Sequence, residues 1–244
     1  MGPSSDLTSL LEWLWHTIYR PCLNALGFKG PIVDNKWPHI WWIATSTLSQ
    51  LPFHAAGIYT NTSKETILNK VISSYASSIR ELIHTRQLYS QKTVKDCQTD
   101  SALLVTMQNT PGLSTTGDLP YAGKEIDILS KLCPSLQLNA ITPRRSKSEV
   151  LKHLHRRKLF HFAGHGRSDL EDPSNSFLYL EDWEHGPLTV ENLRESRLHE
   201  NPPFLAYLSA CSTGTNKVES LSDEGIHLVS AFQLAGFRHV IGTL

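Results

Sequence analysis

LFHFAGHG, residues 159–166, and FLAYLSACSTG, residues 204–214, decide how this chain reads. Each opens on a mostly apolar and aromatic run, Leu159–Phe162 in one, with His161 inside it, and Phe204–Leu208 in the other, and then passes into small residues. A short apolar run bounded by glycine reads as a strand buried on both faces, the kind found in a parallel sheet under helices. In such sheets functional groups gather just beyond the C-terminal ends of the strands. One turn delivers a histidine there, His165, and the other a cysteine, Cys211.

The flanking sequence keeps alternating between strand and helix patterns. Leu103–Met107 is strand-like, 121–132 helical, 137–141 strand-like and 148–157 helical. Residues 176–180 form one arm of a small hairpin and 188–197 a short helix; 224–235 is helical and 239–244 begins a further strand. Strands alternating with helices predict an α/β fold with a mainly parallel sheet and helices on both faces. The last strand has no turn or helix after it, so the sheet is expected to be truncated at its C-terminal edge.

Upstream, Leu7, Leu10, Leu11, Leu14 and Ile18 recur at spacings of three and four, predicting a helix over 6–26 broken near Pro21. The aromatic and β-branched run 39–45 predicts a strand, and 67–86 a second helix ending in basic residues. Residues 87–100 are polar and aperiodic. They mark the boundary between an N-terminal part, 6–98, and a core, 99–244, and are also a possible processing site.

Bulk composition narrows the function. Across 244 residues, 23 Lys and Arg balance 23 Asp and Glu, so nothing on the chain supplies the basic footprint of a nucleic-acid binder. No apolar run approaches the roughly 20 residues a membrane span needs. The N-terminus lacks a basic n-region, and Gly2 with Ser5 misses the myristoylation spacing by one position. The four cysteines, at 22, 97, 133 and 211, form no CxxC pair. Cys22, Cys97 and Cys133 read as buried small hydrophobes, and a cytoplasmic, reducing location is expected.

A thiol is mostly protonated at neutral pH whereas the thiolate is the nucleophile, so a catalytic cysteine needs an imidazole to take its proton. His165 would do that for Cys211 and then return a proton to the leaving amine. Backbone N–H groups of Gly166 and Cys211 suit the oxyanion, because glycine lets the main chain approach closely. Gly164, Ala210 and Gly214 keep the two turns slim.

Together HFAGHG and LSACSTG resemble the CHAT domain, a branch of the caspase-like peptidases that includes the separases. Three further stretches resemble that family: IWWIATSTLSQLPFHAAG at 40–57, VISSYASSIREL at 71–82, and DEGIHLVSAFQLAGFRHVIGTL at 223–244. Caspase signatures place the histidine about 50 residues before the cysteine, and here the separation is 46 (211 minus 165). The resemblance implies a caspase-like fold, a His165–Cys211 dyad, an oxyanion hole at Gly166 and Cys211, a protein or peptide substrate, and control by a fused repeat region outside this chain. It implies no cofactor and no metal. Relatives that cut after basic residues carry an acid two positions before the cysteine; here that position is Ser209.

Ser209, Asp223 and Glu224 are the candidate pocket residues. Asp223 and Glu224 read equally well as the cap and first-turn acid of the helix that follows. The polar span 167–175 is a candidate cleft wall. His161 lies within its strand and reads as structural, and His54 as bonded to the backbone of its own turn. A zinc site over His153, His155, His161 and His165 lacks Cys or carboxylate at ligand spacing. A phosphatase loop at Cys211–Lys217 lacks the arginine fork. The rival from another class is a catalytically silent caspase-like scaffold.

Overall fold

The structure is a computed structural model that describes residues 3–28, 36–45, 48, 51–60, 65–76, 78–80, 82–83, 86, 99–113, 117–155, 157–169, 171–196, 198, 203–210 and 228–242. Two compact units divide the chain, residues 1–79 and 80–244.

In the first unit the expected helix is α1 (Pro3–Leu14), a π-helical turn over Trp15–Tyr19, and α2 (Arg20–Ala25). The break expected near Pro21 is this wide turn just before it. Proline removes an N–H and crowds the carbonyl four residues back, and a π turn absorbs both. Leu11, Leu14, Trp15, Tyr19 and Leu23 bury one stripe against Ile40, Phe53, Ile67 and Val71. Tyr19 meets Trp42 and Phe53 edge-on at centroid distances of 4.8 and 5.6 Å.

The expected strand at 39–45 is β1 (His39–Trp42). Its partner is unexpected. Residues 72–75, read as helix, form β2 (Ile72–Tyr75), parallel to β1 with His39 opposite Ile72. The β1 ladder satisfies this segment's backbone, and His39 Nε2 lies 2.7 Å from Ser74 Oγ, so tertiary pairing overrides the helical pattern. Helix begins only beyond it, at residues 79, 80, 82, 83 and 86.

The second unit carries a five-stranded parallel sheet in the order β10-β9-β5-β3-β4. Its strands are β3 (Thr99–Thr106), β4 (Asn139–Ile141), β5 (Arg157–Ala163), β9 (Leu205–Ser209) and β10 (His239–Gly242). The helices are α3 (Ala122–Leu132), α4 (Lys147–Leu154), α5 (Val190–Glu195) and α6 (Leu228–Leu234). The hairpin arm expected near 176–180 is β7 (Phe177–Leu178), the middle of an antiparallel trio with β6 (Gly166–Arg167) and β8 (Leu188–Thr189).

Alternation along the strands sorts the core into two layers. Leu103, Val105, Met107, Phe160, Phe162, Ala206 and Leu208 face α4, α5 and α6. Ala102, Leu104, Leu159 and Ala163 face α3. This is the α/β caspase-like architecture, a mainly parallel sheet between helices.

The strand order reverses at β3 and β5. The chain leaves β3 over α3 toward β4, whereas from β5 it runs to β9 on the other side. Such a switch point opens a crevice beyond the strand ends, where ligands bind in sheets of this class.

Candidate active site

His165 stands in that crevice, two residues beyond the end of β5. Its ring is held through Nε2 by the carbonyl of Gly117, on the loop that leaves β3. A carbonyl only accepts, so Nε2 carries the proton and Nδ1 is the basic nitrogen. Its main-chain carbonyl accepts from Tyr179 N at 3.0 Å, which ties it to the antiparallel trio. The imidazole is buried and held by Gly117, and the backbone that carries it is held by Tyr179.

The turn carrying His165 is pinned between neighbouring strands. Met107 N donates to Ala163 O at 2.7 Å, and Gly164 N to Ser209 O at 3.1 Å. A Cβ at Gly164 would lie 2.6 Å from Phe162 Cζ and 3.0 Å from Met107 Cβ; one at Gly166 would lie 2.7 Å from Leu228 Cδ2. No side chain fits at either position without displacing the core.

Cys211, Gly214, Asp223 and Glu224 lie outside the described residues. Described chain reaches Ala210, which is buried in the same core layer as Leu208. Ala163 and Ser209 are register partners on β5 and β9.

Ser209 is on the α3 face, and its Oγ donates to Glu125 Oε2 at 3.1 Å. Glu125 Oε1 lies 3.0 Å from His161 Nε2, and the His161 ring stacks on Tyr207 with centroids 5.0 Å apart. Burial pushes the His161 pKa below its ordinary value, against the opposing pull of the Glu125 carboxylate. Sequence reasoning passed over both Glu125 and Gly117. The available signal was an acid beside Ile126 on the inward stripe of the 121–132 helix, next to residues that must be apolar.

Other expectations place differently. His54 is held by a side chain and not by its turn's backbone: Tyr75 Oη accepts from His54 N at 2.9 Å and meets Nδ1 at 2.8 Å. Burial lowers the His54 pKa. Cys133 is buried, and desolvation raises its thiol pKa, but Cys22 is exposed on α2, and Cys97 lies outside the described residues. In the polar span, Asp169 Oδ1 accepts from Glu171 N and Asp172 N, and Asp172 Oδ1 from Ser174 N, so these carboxylates stabilise the loop. Among the described residues no group of three or more His, Cys, Asp or Glu could hold a metal, and no helix is long and apolar enough to cross a membrane.

In comparison with known families, the CHAT domain model matches residues 8–244. No curated protein matches the chain.

Proposed function

The chain belongs to the CHAT domain family, and on that premise we propose that it is a cysteine endopeptidase domain with Cys211 as nucleophile and His165 as acid and base. The supporting observation is the fixed imidazole at the strand switch point, with Nε2 on Gly117 O and Nδ1 left basic. Sequence position adds to it. Ala163 pairs with Ser209, and His165 and Cys211 each follow that pair by two residues. Adjacent strands run roughly 4.8 Å apart, a spacing across which two side chains can approach to the roughly 2.6–3.2 Å that nucleophile and base need.

The chemistry follows from these roles. His165 Nδ1 takes the Cys211 thiol proton, and the sulfur attacks the scissile carbonyl carbon. The oxyanion is received by the main-chain N–H groups of Gly166 and Cys211. Collapse breaks the C–N bond, and the imidazolium returns its proton to the departing amine. Water, deprotonated by the same imidazole, then hydrolyses the thioester and regenerates the thiol.

Protein or peptide substrates, a cytoplasmic location, a catalytic core over 99–244 preceded by an N-terminal part at 6–98, and control by a repeat region outside this chain complete the reading. A panel of peptide acyloxymethyl ketones tests it, with adducts located by intact mass. One adduct at Cys211, lost in Cys211→Ala and His165→Ala, supports the peptidase. Absence of any adduct, with the controlling region present, favours the silent scaffold.

A further inference from the structure

The Gly117 carbonyl that holds the His165 ring lies on a loop, and a carbonyl fixes a ring only as well as its own backbone is fixed. Shortly before it, residues 110–113 (Thr-Pro-Gly-Leu) form a turn closed by Leu113 N donating to Thr110 O at 3.2 Å. Pro111 in second place and Gly112 in third, with φ +76°, make this a type II turn, which needs glycine at that position. The turn reaches Gly117 directly. A Cβ on Gly117 would lie 3.9 Å from Leu113 Cβ and 3.7 Å from His165 Nε2. Where the turn sits therefore decides where the carbonyl sits.

The turn is seated on Trp183, in the 3₁₀ turn Trp183–His185 between β7 and β8. The indole Nε1 donates to Pro111 O at 2.7 Å, across 72 residues of sequence. Gly112 lies against the same segment: an added Cβ would run into the Glu184 carboxylate and lie 3.4 Å from Trp183 Cζ2. The indole is itself held. Phe177 stacks on it at a centroid distance of 6.4 Å, and Tyr179 meets it edge-on at 4.8 Å. The neighbouring Asp182 carboxylate accepts from Lys147 N at 3.0 and 3.1 Å, which ties this segment to the start of α4.

Tyr179 closes the circuit, because its N–H donates to His165 O. The hold on the ring and the hold on its backbone thus lead back to the same indole. Pro111 and Gly112 are exposed, so water could serve the Pro111 carbonyl as well as an indole does. What the indole adds is position.

We propose that Trp183 is a positioning residue for His165: its N–H seats the 110–113 turn so that Gly117 meets Nε2 and Nδ1 is left to face the thiol. The consequence for catalysis rests on the peptidase reading; the hold on the ring does not.

Trp183→Phe keeps an aromatic ring on Phe177 and Tyr179 and removes only the donor. In the ¹⁵N-histidine-labelled full chain, the His165 Nε2 proton should exchange with solvent about fivefold faster in this variant, the weight of one hydrogen bond between neutral groups. Main-chain amides of β5 and β9 should exchange as in wild type, which a general loss of stability would not allow. Gly112→Ala unseats the turn from its other side and should show the same signature. An Nε2 proton unchanged in either variant, or faster only together with the β5 amides, overturns the positioning role. The second readout is alkylation of Cys211 by a peptide acyloxymethyl ketone. Its saturating rate should fall at least about threefold in Trp183→Phe with the ketone's apparent affinity held within about twofold, because a catalytic group out of line costs rate and not binding. A fraction of unfolded protein would lower the extent of labelling and leave that rate alone. A faster Nε2 proton with an unchanged saturating rate also overturns the role. Labelling in wild type with no change at Nε2 removes the positioning role and leaves the peptidase. No labelling, with the Nε2 proton still faster in Trp183→Phe, sustains the hold on the ring and removes the peptidase. No labelling and no change in exchange remove both.

Discussion

Replacing Gly164 by alanine tests whether the histidine turn is as tightly seated as its packing indicates. The added Cβ would lie 2.6 Å from Phe162 Cζ, 2.9 Å from Phe162 Cε1 and 3.0 Å from Met107 Cβ. Phe162 and Met107 are both fully buried, so neither can swing into solvent. Overpacking of this kind costs about 1–3 kcal/mol, and two of the three obstructing atoms belong to a rigid ring, which favours the upper half. Alanine also restricts the unfolded chain, which returns about 0.4–1 kcal/mol. The net expectation is a loss of about 1–2.6 kcal/mol, read as the opening free energy of the 157–163 peptide by native-state hydrogen exchange. Phe162→Leu removes the ring edge that obstructs, so the double variant should be less destabilised than the sum, by about 0.5 kcal/mol or more. A Gly164→Ala protein within about 0.3 kcal/mol of wild type, or a strictly additive double variant, would refute the packing argument.

Three further expectations concern the scaffold. The pKa values of His161 and His54 are lowered by burial, so the unfolded chain binds more protons than the native one below the ordinary histidine value of 6.5. Stability should therefore be fully present above that pH and fall as pH drops below it; urea midpoints at pH 7.5 and 5.5 measure the slope, and His161→Gln should flatten part of it. Thr189 caps α5 through Asn192 N at 3.2 Å with a reciprocal bond from Thr189 N to Asn192 Oδ1. Thr189→Ala should cost about 1 kcal/mol in a urea titration and Thr189→Ser much less, whereas equal losses would remove the capping role. Cys22 should react with a thiol reagent in the native protein, and Cys133, buried and with a raised pKa, only on unfolding.

What the sequence made legible were the elements whose pattern is also their environment. The runs at 103–107, 159–162 and 204–208 are predominantly apolar because helices cover both faces of the sheet, and each became a central strand. The helix at 121–132 was visible for the complementary reason, an inward stripe at Ala122, Ile126 and Leu129. Strand β2 was not visible, because Ile72-Ser-Ser-Tyr75 satisfies either pattern, and only the partner strand, some thirty residues earlier, decides between them. His165 announced itself through the glycines around it. Gly117 did not, since it acts through a carbonyl that every residue possesses. Glu125 was hidden by its surroundings: a glutamate on an amphipathic helix ordinarily faces water, and the two residues that turn it inward, buried His161 and half-buried Ser209, are distant in the chain.

The central claim is that His165 activates Cys211, and the second-order rate constant for alkylation of Cys211 by a peptide acyloxymethyl ketone tests it most directly. Cys22, free and exposed on α2, serves as the internal standard within the same protein. General acid–base assistance is worth about 10²–10⁴ in rate. Cys211 should react at least about 100-fold faster than Cys22 in wild type, and His165→Ala should lose that advantage while the Cys22 rate stays unchanged. Equal rates for Cys211 in wild type and His165→Ala would contradict the account, because the imidazole held at Gly117 would then do nothing for the thiol.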